Sequence, residues 1–291
     1  MRGGALFPVL CLALAPVLGS SGAAALGPSP RSGGDAARSP ALPGDAVKRL
    51  KSGDEAKIRS ALDDVRISAR AGAPAVPAIV EILERGASPQ VSQAAIDTLG
   101  DTEVEGASPV LASYAHHRDV ALRRSAVQAL AHTRGVVAIK ALRAALSDPD
   151  PAVRGLSATG LGTLKAKEAV GDLFLALDHR VNEASPSIGK LCAGAECERL
   201  AGKLGSVPFD VVTGGLDQAL SRPPPDVTED IKINIVARVR ELGTGQANKF
   251  LREEQAKWPK KGSARVRQAL DQAVLATSGS PGSPGTQGAA P

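Results

Sequence analysis

Apolar and small residues return at a fixed interval through the middle of the chain. Leu99, Leu130 and Leu161 step by 31 residues, and so do Leu111, Leu142 and Leu173. Ala107, Ala138 and Ala169 hold the same register, as do Val91, Leu122 and Val153. Four columns kept over three copies mark a supersecondary unit used repeatedly. Inside a copy the spacing is helical. Leu122, Ala126, Val127 and Leu130 form one stripe, and Ile139, Leu142 and Leu146 form a second. The stretch 131–135 breaks the two stripes, and 147–151 separates this copy from the next. Pro151 suits a first helical turn, where its missing N–H costs nothing, and Asp150 is placed to cap it; Ser88 and Pro89 repeat the arrangement upstream. A looser copy, with Ile58, Leu62, Val80 and Leu83 on its apolar faces, runs from about Asp54 to Arg85.

One helical pair of this size cannot bury both stripes, but stacked pairs can, so the pattern predicts an all-α, right-handed α-solenoid. The phrase Asp148-Pro-Asp-Pro-Ala-Val-Arg154, followed by small residues and Leu161-Gly162, resembles the HEAT repeat. The short period is most similar to the subclass described in phycobilisome lyases, here in what reads as an exported bacterial protein. The resemblance covers about Asp54 to His179 within a repeat region assigned to 46–180. It implies that Arg123 and Arg154 make polar contacts between neighbouring copies. Ser92 occupies the same slot one copy earlier and departs from that pattern.

After His179 the register is lost. Pro186, Gly189, Gly194, Gly202, Gly205, Pro208 and Gly214-Gly215 suggest an irregular insertion over 181–225. Asp226-Val-Thr-Glu229 offers a capping signature for a helix through Leu242. Helices are expected near 246–257 and 263–276, so 226–277 reads as a diverged repeat or cap. At the other end, Met1-Arg2, the apolar run from Ala5 to Leu18 and the small residues up to Ala25 have the order of a signal peptide over 1–25. Cys11 follows Pro8-Val9-Leu10, a poor lipoprotein box. Residues 26–45 and 278–291 read as disordered linker and tail. The expected location is the periplasm or the exterior, with no transmembrane segment in the mature chain. Cys192 and Cys197 are then the only cysteines, in a compartment where a disulfide persists. Gly194 between them permits the loop such a bond needs; free thiols are the alternative.

Composition narrows the chemistry. Net charge is +5 and aromatics are 2% of residues, so neither a strong phosphate field nor stacking platforms speak for nucleic acid. His117, Asp148 and His179 occupy one row of turns, but rows two copies apart lie about 20 Å from each other at ~10 Å per layer. They read as solvated turn residues, and no metal or cofactor site is expected. Gly155, Gly160 and Gly162 fall inside a helical copy with no preceding strand, which excludes a phosphate loop. The one dense basic cluster is Lys257, Trp258, Lys260 and Lys261 with Arg265 and Arg267. It reads either as a contact for an anionic partner or as a solvated loop with Trp258 tucked against the terminal helices.

These features favour a non-enzymatic scaffold, binding an exported or envelope-associated protein over about 800 Å² of solenoid surface. A lyase-like enzyme, suggested only by the shared repeat, would need buried, paired ionisable groups, with 181–220 the first place to look. Binding of an anionic envelope polymer through the basic C-terminal helices is the third reading. Oligomeric state is not legible.

Overall fold

A computed structural model describes residues 41–278, which carry fifteen α-helices joined by turns and three short 3₁₀ segments. The expected signal peptide, most of the expected linker and the tail after Ser278 lie outside the described residues. The helices are α1 (Ala46–Leu50), α2 (Glu55–Ser68), α3 (Val76–Arg85), α4 (Pro89–Thr102) and α5 (Ser108–Tyr114). They continue as α6 (Val120–Leu130), α7 (Val136–Ala145), α8 (Pro151–Thr163), α9 (Val170–Asp178) and α10 (Ala184–Leu191). The last are α11 (Ala195–Ala201), α12 (Phe209–Ser221), α13 (Glu229–Arg240), α14 (Gly245–Lys257) and α15 (Ala264–Thr277).

From α2 onward the helices pair, and the pairs stack in two rows. The even-numbered helices pack in succession from α2 to α14; α3, α5 and α7 form the start of the second row, and α11, α13 and α15 its end. The result is an α-solenoid. The repeat columns are its core: Leu99, Leu130, Leu161, Leu111, Leu142 and Leu173 are all fully buried, as are the alanines beside them. Caps fix where each helix starts. The Ser88 side chain accepts from the Val91 N–H, and Asp150 from the Val153 N–H, each with proline in the first turn. Thr228, rather than Asp226, caps α13 by accepting from the Ile231 N–H.

Segment 181–225 differs from the sequence expectation: it holds α10, α11 and α12, and α10 packs directly between α8 and α12. Gly194 and Gly205 take positive φ between helices, but Gly189 and Gly215 lie within helices and permit close approach. A Cβ on Gly189 would collide with the Gly215 carbonyl oxygen, and one on Gly215 would lie 2.5 Å from the Ser185 carbonyl oxygen. Two helix backbones touch where those side chains are missing. The stack therefore continues through the region where the 31-residue register is lost.

Candidate functional site

The polar links between copies come first. Arg123 donates from Nε to Asp148 Oδ2 at 2.9 Å and from Nη2 to Asp148 Oδ1 at 3.0 Å. Its Nη1 reaches the His117 carbonyl at 3.1 Å, so one guanidinium ties α6 to the turn before α8. Arg154, expected to do the same, donates to the carbonyls of Asp148 and Pro149 at 2.8 and 3.0 Å, within the turn that opens its own helix. Ser92 in the corresponding slot is buried and donates only to the Ala87 carbonyl. Asp148 is thus occupied by Arg123. The His117 Nδ1 accepts from the Asp119 N–H, and the ring stacks on Tyr114.

Cys192 closes α10 and Cys197 lies in α11. Their sulfurs are 2.13 Å apart with Cα atoms at 5.2 Å, and both side chains are buried. The Gly194 φ of +52° makes the turn between them.

The basic cluster is largely spent inside the protein. Lys257 Nζ lies 2.7 Å from Asp217 Oδ1 and 3.0 Å from Glu254 Oε1. Arg265 pairs with Asp230 at 2.8 Å, and Arg267 donates to the Pro259 carbonyl at 2.8 Å. Lys260 and Lys261 remain exposed. Trp258 is partly buried against the core, and its indole N–H donates to the Ser263 carbonyl at 3.2 Å.

Beside Trp258 lies a cavity of about 500 Å³ between α12, α13, α14 and α15. Its floor holds buried Leu220, Val227 and Val266, and Pro223, Pro224, Pro259 and Lys261 stand at its exposed edge. Two ionisable side chains are sunk into it: Glu254 is 5% exposed and Lys232 is 8% exposed. Burial pushes the Glu254 carboxyl up to about 6, with Lys257 opposing and Asp217 reinforcing the shift. Asp217 is held below its ordinary value, chiefly by Lys257. Lys257 is raised by both carboxylates. Burial also lowers Lys232, whose Nζ lies 5.2 Å from the centroid of the Trp258 ring. Asp217 stands in the segment where paired ionisable groups were to be sought, but its partner comes from α14.

Of the residues singled out from sequence, Lys257, Trp258 and Lys261 meet at this cavity, whereas Lys260, Arg265 and Arg267 do not line it. Glu254 and Lys232 were overlooked, although helical spacing points to both. Lys232 falls on the buried stripe of Ile235, Val236 and Val239, and Glu254 on that of Ala247, Phe250 and Leu251. Among the described residues there is no group of three or more His, Cys, Asp or Glu side chains that could hold a metal ion, and no helix long and apolar enough to cross a membrane.

Residues 76–155 match the family model for HEAT repeats. No curated protein matches the sequence significantly. Among solved structures, the chain is similar to the complex of CpcE and CpcF of phycocyanin lyase from Nostoc sp. PCC7120, at 18% identity and a TM-score of 0.43, covering 80% of this chain and 93% of that one. It is also similar to a designed armadillo repeat protein in complex with peptide (KR)4, at 16% identity and a TM-score of 0.41, covering 80% and 98%. Human deoxyhypusine hydroxylase in complex with glycerol aligns at 14% identity and a TM-score of 0.36, covering 80% and 94%. At these scores none of the three lends its activity to this chain.

Proposed function

We propose that this chain, whose residues 76–155 match the model for HEAT repeats, is a non-enzymatic scaffold whose helix rows dock a protein partner. The observation that carries this reading is the stack of helical pairs around one continuous core, which leaves the outer helix faces free to vary. On the second helices of their pairs, Val136 is 81% and Leu175 58% exposed, large apolar side chains that the core does not use. Lys257 is paired with both buried Glu254 and partly exposed Asp217. The signal-like order of 1–25 supports export and a partner in the envelope. The basic cluster supports an anionic polymer less, because Lys257, Arg265 and Arg267 already have partners.

The test is affinity capture from the protein's own envelope fraction with wild type and the double variant V136E/L175E. A partner retained by wild type and lost by the variant, at both low and high salt, supports the scaffold. Capture that vanishes with salt alone assigns the polymer reading instead, and capture of nothing rejects both. The mass of the mature N-terminus tests export, with cleavage expected near Ala25-Leu26.

A further inference from the structure

We infer that the cavity between α12 and α15 is a binding site for a small organic carboxylate with an aromatic or cyclic apolar body, the carboxylate meeting Lys232 and the body lying beside Trp258. The argument starts from unequal satisfaction of the charges that line the cavity. Arg222 is held by Asp226 at 2.7 Å and by the Cys192 carbonyl. Lys257 is held by Asp217 and Glu254. Lys232, 8% exposed, has neither a hydrogen-bond acceptor nor a paired carboxylate among the described residues. Glu229 favours the Lys232 charge from nearby without bonding to it, the Trp258 ring lies 5.2 Å from Nζ, and these offset only part of what burying an ammonium costs. A bound carboxylate supplies the missing partner, and the lowered affinity of Lys232 for its proton is the mark of that unmet demand.

The rest of the lining selects the body of the ligand. Leu220, Val227, Val266 and Pro223 are apolar, and about 500 Å³ falls in the range of small-molecule sites. A highly charged phosphate would find one unpaired buried cation, with the carboxylates of Glu229 and Glu254 in the same lining. Trp258 is fixed as a platform: its indole N–H is bonded to Ser263, and a Cβ on Gly262 would come within 2.7 Å of that nitrogen, so only glycine lets the loop close over the ring. This site goes beyond the scaffold reading, and its failure would leave partner capture untouched.

Trp258 is the only tryptophan in the chain, so its emission reports on the cavity directly. The full chain is titrated with 3-phenylpropionate, its neutral amide and 3-phenylpropylamine, with calorimetry in parallel. The expected result is saturable binding of the carboxylate at least tenfold tighter than the amide, with no binding of the amine. Lys232→Met keeps the aliphatic stem, removes the buried charge, and is expected to abolish the preference for carboxylate without altering circular dichroism. Lys140→Met, at an exposed position of α7, should change nothing. Equal binding of all three compounds, a preference surviving in K232M, or no binding up to millimolar concentration would overturn the assignment. An acidic peptide that binds where the small acids do not would also overturn it, and would give the cavity to a protein partner.

Discussion

Replacing Glu254 by glutamine isolates the cost of ionising a carboxyl inside the last two helical pairs. In the folded protein this carboxyl titrates near 6, against an ordinary 4.5, chiefly because it is buried. A raised acid holds its proton more tightly when folded, so its contribution to stability is complete below about pH 4.5 and is lost as pH rises through 6. The shift of about 1.5 units, at 1.36 kcal/mol each, makes this loss about 2 kcal/mol. The neighbours leave that window clear. Asp217 is held below 3.8, so its own contribution is lost only at lower pH, and Lys257 is raised and stays protonated throughout. Urea titrations of wild type and E254Q at intervals from about pH 4 to pH 8 should therefore diverge, with wild type losing about 2 kcal/mol relative to the variant as pH rises. A stability difference that stays constant over that range would refute the burial argument for Glu254.

Three further outcomes follow from the packing. Gly189→Ala forces a methyl against the Gly215 carbonyl and should cost about 3 kcal/mol in chemical denaturation, whereas Gly171→Ala, with open space around it, should stabilise by about 0.5 kcal/mol. Mass spectrometry under non-reducing conditions should find Cys192 and Cys197 two protons lighter and resistant to alkylation; opening so short a loop by a double serine variant should cost about 2 kcal/mol, and alkylation of both in native protein would rule the bond out. Arg123→Met should lower the thermal midpoint more than Arg124→Met, because Arg123 serves a nearly buried Asp148 and two backbone carbonyls while Arg124 is half exposed; equal effects would show that the link between copies is not structural.

The solenoid was legible where burial alone chooses the residue. A position facing the next pair must be apolar and of fitting size, so Leu99, Leu130 and Leu161 repeat with the same period as the structure they fill. Segment 181–225 was not legible, because glycine serves two opposite ends. In a turn it supplies positive φ, as at Gly194, and within a helix it permits contact between backbones, as at Gly189 and Gly215. Composition does not separate these roles; only the neighbouring helix does. The cavity was half legible. Lys232 and Glu254 each break an apolar stripe that helical spacing would have exposed. The encounter of Asp217 with Glu254 and Lys257 depends on how α12 meets α14, and no local pattern encodes that.

Because each pair touches only its neighbours, the solenoid bends by summing small rotations at successive joints, and its compliance is set by what holds each joint. Beside the core contacts of α2 and α4, the polar ties there are ion pairs in water, Arg66 with Asp101 and, just past the helix ends, Arg70 with Glu103, which resist little. Between α6 and α8 the tie is Arg123 on a nearly buried Asp148, and between α10 and α12 two backbones meet through Gly189 and Gly215. The means of holding a joint therefore differ from one joint to the next. Loss of one tie should change the bend at that joint and leave the pairs beyond it as they are.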